Sequence, residues 1–435
     1  MTGLSGLPGL QDGRLKDLSP LKEGALARAL AALNGGGEET RLVGGAVRDL
    51  ALGLEAGDLD LATTAPPRET MRRARAAGFK VAPTGLAHGT VTLILDGERL
   101  ETTTLREDVE TDGRHAEVVF GRDFVADAGR RDFTINALSL SADGQVHDPF
   151  GGLADLAAGR VRFIGDAEAR IREDYLRILR FFRFSARFGG GALDREGLAA
   201  AISARAGLER LSRERVRNEA LKLIVAPHAG AVVAAMGETG FLEPVLGAMA
   251  YPGRLKRAIA IERARKADPD PLLRLAALAV AISENAERLR ERLRLSNTET
   301  RRLALAGTAL VRLRGIERPP SREGLKVLLF RCKRRAARDA LFLAQADSTA
   351  PAGDPAFAAA DLFLAETREP RLPVSGAELV ERRVAEGPLI GAVLHAFERL
   401  WVEAGLPEER EAVDRLLARA AGDHGDGLAF REKFS

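Results

Sequence analysis

Asp58-Leu59-Asp60 stands in a strand-like segment shortly after the run Leu42-Val43-Gly44-Gly45-Ala46-Val47-Arg48-Asp49, and together the two could carry metal-assisted transfer chemistry on a phosphorylated substrate. In an extended strand alternate side chains share a face, so Asp58 and Asp60 lie on one side and Leu59 and Leu61 on the core side. Paired carboxylates suit Mg²⁺, which takes oxygen ligands from one or two carboxylates together with substrate phosphates. Gly44 and Gly45 end an apolar strand at 41–43 and open a short helix, and with no side chains in the way their backbone N–H groups can approach a triphosphate. Arg48, one turn into that helix, adds positive charge. Glu101, on a later strand at 99–104, either brings a third carboxylate to the same metals or is an ordinary exposed strand glutamate.

The elements that must position these residues follow from turn chemistry and periodicity. Residues 1–17 read as a loose leader, and Ser19-Pro20 open a helix to about 33 that stops at Gly35-Gly36-Gly37. Strands are predicted near 40–44 and 58–63, a helix from Pro66-Pro67 to Gly78, and further strands near 79–82, 89–95 and 98–104, with Asp96-Gly97 as a hairpin turn. From about Gly151 the helical periodicity of Ala, Leu, Arg and Glu dominates. The expected fold class is α+β: an N-terminal head with a mixed sheet over 1–150 (core from about 20), then an all-α neck over 151–225, body over 226–330 and tail over 331–435. Ser296-Asn297-Thr298-Glu299 and Ser375-Gly376-Ala377-Glu378 have capping-box spacing, while Pro319-Pro320 and 348–355 read as loops.

A chain of 435 residues has material for several domains. Its 65 Lys and Arg against 62 Asp and Glu leave a net charge of +3, so a nucleic-acid surface must come from local arrangement. Two basic runs, 254–266 and 331–338, are candidates to follow RNA phosphates, and solvated helix faces explain them almost as well. Cys332 is the only cysteine, which excludes an intramolecular disulfide, fits a reducing cytoplasm and, with six scattered histidines, argues against zinc. No signal peptide or membrane-spanning stretch is read, so no membrane partner is expected. The oligomeric state is left open.

Arg130-Arg131-Asp132-Phe133-Thr134-Ile135-Asn136-Ala137 adds two forked donors suited to phosphate or ribose oxygens, with an aspartate that accepts from a sugar hydroxyl or orients an arginine. Asp174, Arg177, Arg180 and Arg183 recur every third residue, which places acceptor and donors around neighbouring faces of one helix, or makes an exposed ion-pair face. In order, LVGGAVRD, DLD, RRDFTINAL, DPFGG at 148–152 and EDYLRILRFFRF at 173–184 resemble the class II tRNA nucleotidyltransferases, or CCA-adding enzymes. They resemble the related bacterial poly(A) polymerases as well, all within the DNA polymerase β nucleotidyltransferase superfamily. The strong resemblance covers about 39–225, with weaker echoes at 293–297 and 374–401.

The resemblance implies a template-independent enzyme that adds C-C-A to tRNA 3′ ends from CTP and ATP by two-metal in-line transfer. Asp58 and Asp60 would bind Mg²⁺, Gly44, Gly45 and Arg48 would meet the triphosphate, and Arg131 with Asp132 would hold ribose and phosphates. Asp174 and Arg177 would pair with the Watson–Crick edge of the nucleotide, with Arg180 and Arg183 also on the nucleotide. DPFGG would be a hinge between head and neck, and the helix at 212–224, with Glu214, Arg215 and Glu219, a structural neck motif. A polar loop at 106–115 matches the segment that complete CCA enzymes need and CC-adding relatives lack. Poly(A) polymerase and A-adding or CC-adding specialists share most of these motifs, but no arginine-rich extension of the poly(A) type is present. A non-catalytic RNA-binding protein would have no need for all of the charged residues. No His-Asp cluster of a phosphohydrolase follows the neck.

Overall fold

The computed structural model describes residues 6–107, 119–381 and 389–422. The chain forms two compact units, Met1–Phe241 and Leu242–Ser435. The first contains β1 (Leu10–Gln11), β2 (Arg14–Leu15), β3 (Thr40–Val43), β4 (Leu59–Thr63), β5 (Lys80–Gly85), β6 (Thr90–Leu95), β7 (Glu98–Thr104), β8 (Arg106–Glu107), β9 (Val119–Phe120), β10 (Ser139–Leu140) and β11 (Val146–His147). Seven of them make one mixed sheet in the order β11-β10-β3-β4-β7-β6-β5, in which β4 and β7 run parallel and the other neighbours antiparallel. A parallel pair needs a long return path. The Pro67–Ala76 helix, with proline at its start, and the β5–β6 hairpin supply it. Asp96 and Gly97 both have positive φ, 52° and 87°, as the expected two-residue turn between β6 and β7 requires.

Strand register gives this sheet two unlike faces. Leu42 pairs with Leu61, Leu59 with Leu100 and Leu100 with Leu93, so these residues share a face. Leu42, Leu61, Leu93 and Leu100 are almost wholly buried, and the Gly24–Leu33 helix packs on β3 and β7 through Leu26, Leu30 and neighbours. The opposite face carries Val43, Asp60 and Glu101 in register across three strands, with Ala62 and Phe124 beside Val43 in a small apolar cluster. Hydrophobic burial therefore fixes one face and leaves the other to the charged residues.

Two expectations about the N-terminal part change. Residues 10–15 of the expected leader form a hairpin, turning at Asp12 and Gly13 with φ of 49° and 76°, and Leu10 and Leu15 are buried. The Asp-Gly between leucines was the available signal. The single helix predicted to 33 is two, Ser19–Lys22 and Gly24–Leu33, because Gly24 takes a φ of 78° between them.

At 148–152, Asp148 accepts from Gly152 and Leu153 N–H at 2.7 and 2.9 Å and so satisfies the first free N–H groups of the Gly152–Ala157 helix, whose N-cap is Gly151. Gly151 has a φ of 75°, but Gly152 is needed for close packing: a Cβ there would lie 2.2 Å from the Thr134 carbonyl oxygen. Asp155, with no exposed side-chain surface, accepts from Thr134 Oγ1 at 2.6 Å and pairs with Arg160 and Arg162. The segment thus braces the loop that follows Arg131 and Asp132. Gly152→Ala is expected to destabilise the protein by about 2 kcal/mol or more. Denaturant unfolding of the variant beside wild type checks this.

The first unit continues past the expected neck boundary at 225: the Ala229–Glu238 helix packs on the Leu176–Phe188 helix, and Phe241 meets Phe182 edge-on at 4.8 Å. Among the described residues of the second unit, all regular elements are helices. Ser296 and Glu299 form the expected reciprocal cap, and Ser375 caps through Glu378 N–H. The Arg322–Asp347 helix runs through the expected body–tail division at 330/331 and breaks two residues later at Lys333, whose φ is 65°. Trp401 and Phe397 centre an apolar cluster near the C-terminus, with Phe330 edge-on to Trp401 at 5.3 Å.

Both basic runs supply arginines that bind other parts of the second unit. Arg254 is 7% exposed and donates to the Ala277 and Val280 carbonyls, each at 2.6 Å, as well as to Asp347. Arg257 donates to Ala346 and Ala350, and Arg265 to Gln345 and Asp361. Arg334 gathers the carbonyls of Leu364, Ala365 and Thr367, while Arg331, Arg335 and Arg338 pair with Glu398, Asp270 and Asp361. A guanidinium has five donors and suits the otherwise unsatisfied carbonyls at helix ends. Most of these arginines are ties between helices, although Arg335 and Arg338 keep 67% and 44% of their side-chain surface exposed and so also form part of a solvated face.

Candidate active site

Gly44 joins β3 to the Gly45–Ala51 helix with φ 76° and ψ −129°, a conformation suited to glycine. A Cβ there would also come within 2.6 Å of Arg131 Nη1, so Gly44 is fixed both by backbone and by the side chain it must admit. Gly44 and Gly45 border a cleft of 680 Å³ in the first unit that also takes in Asp58, Asp60, Arg131, Asp132, Asp174, Arg177 and Arg180. Those nine expected residues are brought together although they are spread over more than a hundred positions of the chain. Arg48 lines the same cleft.

Arg48 is 5% exposed, donates to Asp49 Oδ1 through Nε and Nη2 and to Asn136 Oδ1 through Nη1, and lies 4.1 Å above the Phe188 ring. Burial pushes its pKa down, and Asp49 opposes the shift. Its guanidinium ties the glycine turn to the 130–137 segment. Asp132 is equally committed: Oδ1 accepts from Phe133 N–H at 2.9 Å and Asn136 Nδ2 at 3.0 Å, and Oδ2 takes Arg180 Nε and Nη2 at 2.6 Å. Of the two sequence readings of this aspartate, orienting an arginine is the one seen. Arg131 donates to the Asn136 carbonyl at 3.3 Å and stands 3.8 Å from Asp127.

The expected helix through Asp174 is interrupted. Asp174 lies in the break between the Ala167–Glu173 and Leu176–Phe188 helices, with extended backbone at φ −153° and ψ 106°. Its Oδ1 accepts from Leu176 N–H at 3.1 Å and its Oδ2 from Arg215 Nη2 at 2.6 Å. Arg177 donates Nη1 to Glu173 at 2.6 Å and to the Arg170 carbonyl at 2.8 Å, and Nη2 to the Arg130 carbonyl at 3.2 Å. Arg183 does not border the cleft; it pairs with Glu219 at 2.5 Å and covers the Phe184 ring at 4.1 Å. Steps of three residues fall about 60° short of a full turn, so Arg183 has rotated about 120° from Arg177. Residues seven apart stay aligned instead. Phe184 and Arg187, at that spacing from Arg177 and Arg180, line the cleft, as do Arg215, Asp49 and Asn136, none of which the sequence singled out for substrate.

Asp58 immediately precedes β4, and Asp60 is its second residue. Asp58 is exposed, Asp60 keeps accessible surface while partly enclosed by the cleft, and the three other aspartates of the cleft, Asp49, Asp132 and Asp174, are all engaged by arginines. No hydrogen bond or ion pair among the described residues engages the side chain of Asp58 or Asp60. Partial burial pushes the Asp60 carboxyl above its usual range, Glu101 and Asp58 push it further, and Arg131 opposes them. Glu101 is the register partner of Asp60 across the parallel pair and borders a smaller cavity of 310 Å³ to which Asp60 also contributes. Mutually repelling carboxylates held without a protein partner fit a cation. The polar loop expected at 106–115 lies, from 108 on, outside the described residues.

A mixed sheet that offers unpaired carboxylates beside a glycine turn, facing an arginine-lined helix, defines a nucleotidyltransferase head. Residues 40–162 match the family model described as the Poly A polymerase head domain, and 192–251 that described as the probable RNA and SrmB-binding site of polymerase A. The mouse protein named CCA tRNA nucleotidyltransferase 1, mitochondrial, is 35% identical over 87% of this chain and 86% of its own length. The zebrafish protein of that name is 43% identical over 60% of this chain, an alignment that spans 61% of the zebrafish protein. The crystal structure of the Bacillus stearothermophilus CCA-adding enzyme in complex with CTP superposes with a TM-score of 0.68 at 28% identity, covering 93% of this chain and 98% of that one. The chain belongs to the CCA tRNA nucleotidyltransferase family. Nucleotidyl transfer in this family uses a divalent metal. Among the described residues no helix is long and apolar enough to cross a membrane.

Proposed function

We propose that this chain adds C, C and A in turn to the 3′ end of tRNA, taking CTP and ATP as substrates in the 680 Å³ cleft. The observation that carries the reading is the contrast among the cleft aspartates: Asp49, Asp132 and Asp174 are engaged by arginines, whereas Asp58 and Asp60 are left to a ligand. Asp58 and Asp60 would hold Mg²⁺, with Glu101 in register beside them. When bound, the metal lowers the pKa of the attacking hydroxyl and neutralises charge on the triphosphate.

The remaining work belongs to the chain itself. The Gly44-Gly45 turn admits the triphosphate without side-chain interference, and Arg131 and Arg180 offer forked donors to its oxygens. Asp132 holds Arg180 for that task, and Arg48 and Asn136 keep the turn against the 130–137 segment. Asp174 supplies an acceptor and Arg177 donors to the Watson–Crick edge of the base. The tRNA 3′-hydroxyl attacks the α-phosphorus, and pyrophosphate leaves in line. The CTP complex of the Bacillus enzyme and the names of the mammalian and fish relatives support these substrates. The single thiol, Cys332, is buried and fits a reducing compartment, which we take to be the cytoplasm.

Pure protein incubated with tRNA lacking its last three nucleotides is expected to add two nucleotides with CTP alone and three with CTP and ATP together. A lengthening tract with ATP alone would identify a poly(A) polymerase. Arrest after two nucleotides in the presence of both substrates would identify a CC-adding specialist.

A further inference from the structure

Asp174 and Arg177 are held in different ways. Arg177 takes its fixing contacts from Glu173 and the Arg170 carbonyl, both within seven residues, and from the Arg130 carbonyl. Asp174 stands outside the helix, in extended backbone, where no helical turn restricts its side chain. Besides the N–H of Leu176, its side chain takes Arg215, 41 residues further along. Arg215 lies near the start of the Arg213–Ile224 helix and borders the same cleft. One turn later on the same helix, Glu219 pairs with Arg183, with side-chain exposures of only 8% and 11%. That buried pair anchors the helix against Leu176–Phe188 and sets the register at which Arg215 reaches Asp174.

We propose that Arg215 is a specificity-determining positioning residue: its guanidinium turns the Asp174 carboxylate so that one oxygen faces the exocyclic amino group of cytosine or adenine. The proposal rests on Asp174 being the base-reading acceptor. With Oδ2 drawn to Arg215 and Oδ1 capping Leu176, the remaining lone pairs keep a fixed direction. An oxygen so directed accepts from the N4 amino group of C or the N6 amino group of A, and meets only another acceptor at O4 of U or O6 of G. Released from Arg215, the carboxylate can swing away from the edge and the rejection of U and G weakens. The outward side of the pair is half exposed, so truncating Arg215 leaves the buried anchor in place.

The test is steady-state addition of each of the four nucleotides by Arg215→Ala, Arg215→Lys, Asp174→Ala and the Asp174→Ala/Arg215→Ala double variant, on tRNA lacking its last three nucleotides. Arg215→Ala is expected to lower the ratio of kcat/KM for CTP to that for UTP roughly tenfold. Arg215→Lys should recover part of it, and the double variant should be no less selective than Asp174→Ala alone. If Arg215→Ala slows all four nucleotides equally, or if the two substitutions add independently, Arg215 is merely structural and the proposal fails while Asp174 keeps its role. If Asp174→Ala itself leaves the ratio unchanged, the base-reading assignment fails and the proposal with it.

Discussion

Asp58→Ala and Asp60→Ala should each lower kcat for nucleotide addition by about a thousandfold or more while tRNA binding stays close to wild type. Removing a metal ligand forfeits several kcal/mol of transition-state stabilisation, and that loss falls on turnover more than on affinity for the polynucleotide. Chelation of divalent metal should abolish addition by wild type, and Mg²⁺ should restore it. Stability gives an independent readout. Partial burial and the charges of Glu101 and Asp58 raise the folded-state pKa of Asp60, so the ionised side chain is less favourable in the folded state than in the unfolded one. That penalty is present above the raised pKa and disappears as pH falls through it. Asp60→Asn at neutral pH should therefore melt no lower than wild type, and higher if the repulsion dominates. A variant that is both inactive and clearly less stable would mark Asp60 as structural. Retention of near wild-type turnover with Mg²⁺ in both alanine variants would remove the metal assignment.

The second large effect concerns base selection. Asp174→Ala and Arg177→Ala are expected to reduce the preference for CTP and ATP over UTP and GTP roughly ten- to a hundredfold, since an unpaired polar edge in a closed site costs about 1–3 kcal/mol. Metal dependence should not change. Arg177→Lys should rescue little: Arg177 spans Glu173 and the carbonyls of Arg170 and Arg130 with both terminal nitrogens, and an ammonium cannot reproduce that planar fork. Measuring all four nucleotides on tRNAs that end before the first C and before the final A decides the matter. Unaltered selectivity in both variants would reduce Asp174 and Arg177 to ion-pair residues of the cleft wall.

Local chemistry in the chain determined a good deal by itself. Alternation along 58–63 set which face of the sheet carries Asp60, Asp96-Gly97 set a hairpin, and Gly44-Gly45 between an apolar run and a helix set the turn at the cleft. These features depend on neighbours two to four residues away, so they can be read in order. The two-residue strands β10 and β11 escaped because they are too short to show a period. The assignment of arginines escaped for a different reason. Arg183, expected at the nucleotide, is turned away to Glu219, 36 residues on; Arg215, read as structural, meets Asp174; and the arginines of 254–265 and 331–338 hold helix ends and carboxylates far along the chain. A guanidinium is equally suited to phosphate, carboxylate or carbonyl, and only distance in the folded state chooses among them. The sequence thus determined which residues could do nucleotidyl transfer, and the tertiary structure decided which carboxylates and guanidinium groups are spent on each other and which are left for substrate.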